Sequence, residues 1–166
     1  MAIFLAFPVI AILTMLQMGV VSRIPLLNGT ADIILLVLIA WSLHERVKTA
    51  WFWTFLAGAV VSFVSALPFF TPLWGYLLVV ALARLIRRRV WQTPILAMLI
   101  TTFLGSLITL GMDWIGLQFQ TGAYPLLETL NLIIMPSILL NLLLALPVYA
   151  LTNDLADFVY PEERSL

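Results

Sequence analysis

The sequence has no cysteine and a single histidine, His44, in 166 residues. Disulfides and thiolate metal sites are therefore excluded, and a histidine-rich metal cluster cannot form. Charge is scarce as well: Asp, Glu, Lys and Arg together make up 10%, eight of each sign, for a formal net charge of zero. A nucleic-acid binder needs a basic surface, and this balance does not supply one. There is no phosphate-cradling glycine loop, no metal-ligand spacing and no nucleophile–base pair. Ser and Thr hydroxyls are present, but His44 has no orienting group beside it in the sequence. No catalysis and no cofactor are expected.

What the chain has in quantity is apolar surface. Apolar residues make up 63%, where soluble domains run near half. A soluble fold of this size still exposes much of its area to water and could not hide so much. Lipid is the solvent that fits, and the long unalternating apolar runs exclude an outer-membrane barrel. The first run begins directly after Met1 without a basic leader, which reads as a retained membrane anchor.

Crossing the roughly 30 Å hydrocarbon core takes about 20 apolar residues as a helix. Candidate spans are Ala2 to Val21, Ala31 to Leu43, Ala50 to Leu67, Leu73 to Ile86, Pro94 to Ile115 and Leu126 to Leu151. The second is short and reaches spanning length only with its flanks. The reading is an all-α integral membrane protein of about six transmembrane helices over residues 1–151. A short amphipathic cytoplasmic tail over 152–166 follows, with Asp154, Asp157, Glu162 and Glu163 among Leu155, Phe158 and Tyr160, whose acids either meet a basic partner or, as expected, end in solvent. Pro68 and Pro72 bracket a tight turn, and Pro94 suits a first helical turn. Pro136 and Pro147 fall inside the sixth span and should kink or break it.

Orientation follows from basic residues, which favour the cytoplasmic side. With the N-terminus inside, Arg46, Lys48, Arg84, Arg87, Arg88, Arg89 and Arg164 fall inside, and only Arg23 falls outside. Both termini are then cytoplasmic. Trp41, Trp51, Trp53 and Trp91 lie beside the inner loops, Trp74 and Trp114 beside the outer ones, as expected of residues that favour the membrane interface.

Four groups of residues are candidates for function. Arg84, Arg87, Arg88 and Arg89 either dock an acidic partner or anionic lipid headgroups, or simply anchor the topology. Asp32, Asp113 and Glu128 lie at outer helix ends with Arg23, as a rim for a partner or an ion pair, or as plain interfacial carboxylates. Gly58, Ser62 and Ser65 share a face of the third span, and Thr101, Gly105 and Thr109 a face of the fifth, beside Thr102 and Ser106. Such small residues let helices approach closely in lipid; the alternative is a polar cavity lining. In the sixth span Asn131 and Asn141 flank Pro136, with Ser137 on the face of Asn141, and would bond a neighbouring helix or backbone freed by the proline.

A first span ending in Gln17 is followed by the loop Arg23-Ile24-Pro25-Leu26 and an aspartate opening the second span in Thr30-Ala31-Asp32-Ile33-Ile34-Leu35. The stretch from Phe55-Leu56-Ala57-Gly58 runs through Pro72-Leu73-Trp74-Gly75-Tyr76 to Arg87-Arg88-Arg89. Together these features resemble the MreD family of rod shape-determining proteins. Ser62 stands where that family often has an acid, whose role would be lost or fall to Asp113 or Asp32. The resemblance implies a plasma-membrane scaffold without catalysis of its own, partnering MreC. Through it the protein would support the elongation synthase, a polymerase and transpeptidase pair that builds lateral peptidoglycan, and link to the cytoplasmic filament MreB.

Two other readings stand beside it. The substrate-binding subunits of energy-coupling-factor vitamin transporters have a similar helix count and length, and the MreD family looks similar to them in fold. Trp74, Trp114, Asp113, Asn131 and Tyr124 would then hold a vitamin, although their usual Ala-x-x-x-Ala docking pattern is offered here only by Ala2 and Ala6. A membrane enzyme acting on a lipid-linked precursor would need more converging acids or histidines than the chain has.

Overall fold

The computed structural model of the chain describes residues 2–23, 26–68, 70–89, 93–121 and 125–161. Among them the chain is all-helical, with no strand beyond an isolated bridge between Leu26 and Gly29. The helices are α1 (Ala2–Gly19), α2 (Ile33–Leu43), α3 (Ala50–Val64), α4 (Phe70–Arg89), α5 (Pro94–Thr121) and α6 (Leu126–Val159). Of the described helices, α4, α5, α6 and the α1 segment, with its 3-10 extension to Arg23, are long and apolar enough to cross a membrane. The remaining two, α2 and α3, are apolar but shorter.

Successive helices run in opposite directions, so the bundle has two ends of different chemistry. One, here the Asp end, gathers Gln17, Asp32 and Asp113. The other, the Arg end, gathers His44, Arg46, Arg84 and Arg87, and α6 returns to it.

The organising element is α2. All its residues but Ile33 are buried, and it touches every other helix, with α1, α3, α4, α5 and α6 in an arc around it. At 1.5 Å per residue its 11 residues cover about 16 Å, roughly half a hydrocarbon core. Ile34, Leu35, Leu36, Leu38 and Ile39 are almost wholly enclosed. The sequence already shows the reason: an uninterrupted apolar run has no polar face to turn outward. By contrast α1 is only 17% buried over its apolar window and lies at the rim.

Trp41 and Trp53 differ from expectation. They sit towards the Arg end, but both are 0% exposed and stack at 4.3 Å inside the bundle. Offset ring pairs of this kind add to burial, and here the pair locks α2 to α3. Trp51 and Trp74 do face outward, while Trp91 lies outside the described residues.

The sixth span is not broken by its prolines. Pro136 lacks an N–H and cannot serve the carbonyl of Leu132, four residues earlier. The turn before it widens into a π-helix over Leu130–Ile134, and the Leu132 carbonyl accepts instead from the backbone N–H of Asn28, at 3.1 Å. Helix α6 then runs through Pro147 to Val159. The segment after Leu151 is therefore not a solvated stub. Thr152 and Ala156 are buried, and Leu155 and Tyr160 pack on the core. Glu162, Glu163 and Arg164 lie outside the described residues.

Close helix approach is explicit at Gly58. A Cβ there would lie 2.8 Å from Leu73 Cδ1 and 3.0 Å from Leu73 Cα, so α3 and α4 meet backbone to backbone. Gly105 is similar, with Val79 Cγ1 2.8 Å from where its Cβ would be. Gly58→Leu is expected to drive α3 from α4 and destabilise by about 1–3 kcal/mol, read as a lower thermal midpoint in detergent. An unchanged midpoint would refute the close packing.

Candidate functional site

Both ends of α2 lie within the bundle, where unpaired backbone groups are costly. At its N-terminus Asp32 is the cap: Oδ1 accepts from Leu35 N at 2.9 Å, as short acceptor side chains do at this position. Its other oxygen accepts from the Tyr76 hydroxyl of α4 at 2.8 Å. The backbone N–H of Asp32 donates to Asn141 Oδ1 of α6 at 2.7 Å, and Asn141 Nδ2 donates to Ser106 Oγ of α5 at 2.8 Å. Gln17 of α1 completes the collar, with Nε2 donating to Ala31 O at 2.7 Å and Oε1 accepting from Ile33 N at 2.9 Å. Five helices thus meet around one carboxylate.

The loop entering α2 is seated on α6 by the same means. Thr30 N donates to Ser137 Oγ at 3.1 Å, one turn before Asn141. Gly29 lies directly on the α6 backbone: a Cβ there would fall 2.6 Å from Ser137 N and 2.7 Å from Ile133 O. The turn before it places Leu27 at φ 55, a left-handed conformation that costs a non-glycine residue about 1 kcal/mol or more.

Below this collar is a cavity of about 250 Å³. Asp32, Tyr76 and Asn141 line it, together with Thr71, Thr109 and Asp113. Asp113 makes no hydrogen bond or ion pair among the described residues. Thr71 is 1% exposed and its hydroxyl has no partner among them. The three acids expected as one rim are thus separated. Asp32 and Asp113 share the cavity, while Glu128 and Arg23 are exposed to the outside. Among the described residues no ion pair joins Arg23 to any of them.

The arginine cluster also divides. Arg87 Nη1 donates to His44 O at 2.9 Å and lies 3.4 Å from Ser42 O, closing the C-terminus of α2. Arg84 Nη2 donates to Val47 O at 3.3 Å in the following loop. Cations suit helix C-termini, where carbonyls lack partners and the dipole is negative. Arg88 and Arg89 are exposed. His44 Nδ1 accepts from Arg46 N at 3.3 Å, so Nε2 carries the proton it shares with Asp157 at 3.2 Å. Arg46 Nη1 lies 3.4 Å from the same Asp157 oxygen, so the end of α6 is tied to the α2–α3 loop.

The packing residues differ in how their polar atoms are used. Thr101 returns its hydroxyl to Ala97 O at 2.6 Å, and Thr109 to Gly105 O at 3.1 Å. Ser62 is buried with its hydroxyl unpartnered among the described residues, and Ser65 ends α3 by accepting from Leu67 N at 3.1 Å. Asn131, in the π-helical turn, is exposed and bonds no neighbouring helix among the described residues. Gln17, Tyr76 and Gly29 carry more of the site than the sequence reading gave them. The signal for Gly29 was its place in a tight turn beside a proline-freed carbonyl, which only the fold brings together.

Comparison with known proteins gives no match: no family model, no curated protein and no solved structure is similar enough to relate to this chain.

Asn141→Leu is expected to destabilise by about 1–3 kcal/mol, since it leaves the Asp32 N–H and the Ser106 hydroxyl without their partner. Tyr76→Phe removes one donor to Asp32 and should cost less. A thermal series in detergent that reverses this order would exclude the collar as the bond that holds α2.

Proposed function

We propose that the chain is a six-pass plasma-membrane scaffold of the bacterial rod complex, resembling the MreD family, with the Arg end and both termini in the cytoplasm. The observation that carries this reading is how the polar side chains are used. Asp32, Asn141, Gln17, Arg84 and Arg87 hold a short central helix in place. Gln17 and Asp32, two of the residues on which the resemblance rests, bind the same turn of backbone.

The orientation is supported by the basic residues, since Arg46, Lys48 and Arg84 to Arg89 gather at one end. The six crossings are supported by the alternating helix directions. In this reading the second crossing is made by α2 together with its flanking loops, and the capped helix ends stay inside the bundle. MreC is the proposed membrane partner, with the elongation synthase beyond it and MreB on the cytoplasmic side. Arg88 and Arg89, exposed like Lys48, are cations available to anionic lipid or an acidic partner surface.

The vitamin-transporter reading is favoured by the cavity alone. Of the residues that would hold a vitamin, Asp113 lines it, whereas Trp74 is 55% exposed and Asn131 faces out. Tyr124 lies outside the described residues.

A pull-down of the tagged chain from native membranes in gentle detergent tests the proposal. Recovery of MreC and the elongation synthase is the expected result; recovery of paired ATPases with a shared coupling subunit would overturn it. The arginines should also separate. Arg87→Ala is expected to lower the thermal midpoint, because the end of α2 loses its donor. Arg88→Ala with Arg89→Ala should leave stability within about 0.5 kcal/mol and reduce retention on anionic lipid vesicles. Loss of stability in the double variant would contradict that division.

A further inference from the structure

We propose that the cavity at the Arg end is a binding site for the phosphate of an anionic phospholipid headgroup, with Arg87 as its principal donor. This cavity, of about 220 Å³, is bounded by the loop after α2, by α4 and by turns of α5 and α6. Arg87, Arg46 and His44 line it with Tyr149 and Asn153, against one acid, Glu45.

Two of the lining residues hold donors that the fold does not use. Arg87 gives only Nη1 to the carbonyls of Ser42 and His44; its Nε and Nη2 have no partner among the described residues. Those two nitrogens form the edge of the guanidinium that takes two oxygens of one phosphate side by side. The Tyr149 hydroxyl, on a different helix, has no partner among the described residues either, and a phenol can donate a further bond. Both residues are half-buried, and neither is among the fully enclosed groups, such as the Ser62 and Thr71 hydroxyls.

The charge around the cavity is complementary to an anion. Arg46, Lys48, Arg84, Arg87, Arg88 and Arg89 gather at this end against Glu45, Asp154 and Asp157, and Asp157 is engaged by Arg46. The first turn of α5, whose Pro94 and Ala97 line the cavity, adds the positive end of a helix dipole.

The walls and the size decide which anion. Leu43, Pro94 and Ala97 give the cavity an apolar side. Ile95 and Leu96 after Pro94, and Leu146 one turn before Tyr149, are exposed, as residues in contact with acyl chains would be. The volume is below the roughly 300–1,000 Å³ of sites that enclose a whole small molecule, which suits a headgroup whose chains stay outside. Basic pockets between helices at the cytoplasmic surface hold lipid headgroups in this way. The inference rests on the proposed orientation only in placing the Arg end at a membrane surface.

The test uses the purified full chain in detergent, titrated with phosphatidylglycerol and with phosphatidylcholine of the same chain length, with bound lipid counted by native mass spectrometry. One phosphatidylglycerol is expected to stay bound per chain and to raise the thermal midpoint. Phosphatidylcholine, whose ammonium offsets the phosphate, should bind more weakly. Arg88→Ala with Arg89→Ala should keep the single lipid, which separates the cavity from the surface cations. Arg87→Lys retains a cation for the end of α2 but loses the fork, and should weaken binding about tenfold or more. Tyr149→Phe should keep the lipid-free midpoint and weaken binding about fivefold. Glu45→Gln removes the acid of the lining and should tighten binding about twofold. The proposal is overturned if no lipid is retained, if the double arginine variant loses it, or if Arg87→Lys and Tyr149→Phe bind unchanged. It is overturned too if inorganic phosphate alone gives the whole midpoint shift and displaces the lipid, since the occupant would then be a soluble phosphate. Binding is read on the isolated chain, so it stands or falls separately from the recovery of protein partners.

Discussion

A central helix too short for its surroundings is the constraint on which the rest of the structure depends. α2 covers about 16 Å by helical rise, yet it is the most enclosed helix of the bundle. In lipid a helix that stops halfway must have its end groups satisfied by protein. The chain does this with opposite chemistry at the two ends: acceptor side chains and amides meet the N–H groups, and the Arg87 guanidinium meets the carbonyls, with Arg84 holding the loop that follows. Apolar packing alone would not fix its depth, because lipid tails are as apolar as the neighbouring helices. The polar ends set the register, and the apolar middle fills the space.

Pro136 belongs to the same arrangement. A proline inside a spanning helix frees one carbonyl, and a loop lying within the bundle needs acceptors for its N–H groups. These two deficits cancel where Asn28 meets Leu132. The close seat of Gly29 on α6 makes that contact geometrically available, and the strained Leu27 is a local cost of the turn that delivers it. The proline that weakens α6 as an isolated helix is therefore part of what positions α2.

Much of the fold could be read in the sequence, and the misreadings share a cause. The six apolar segments were visible because hydropathy reports directly on solvent, and the ends of α2 and α5 were marked by Asp32 and Pro94. Composition, however, does not say which side of an apolar helix faces protein. Trp41 and Trp53 therefore read as interfacial residues but are core, and the tail after Leu151 read as solvated but is packed. The arginine run looked like one feature, and only the position of the carbonyls at the end of α2 and in the loop after it distinguishes Arg84 and Arg87 from Arg88 and Arg89. In the same way Ser137 and Asn141 could be placed on one face of α6, while their partner, the loop before α2, is more than 100 residues away in sequence.

The polar groups of the bundle divide by how their cost is met. In a membrane bundle a charge is costly unless it is paired, capping a helix or in contact with water. Asp32, Arg84, Arg87, Arg46 and Asp157 are accounted for by bonds within the chain. Lys48, Arg88 and Arg89 are accounted for by exposure. Asp113 lines the cavity at the Asp end and is partly exposed, with no hydrogen bond among the described residues. Its charge is met by access to the cavity and not by a bond within the described chain, so the Asp end keeps an acid that the capping of α2 does not use.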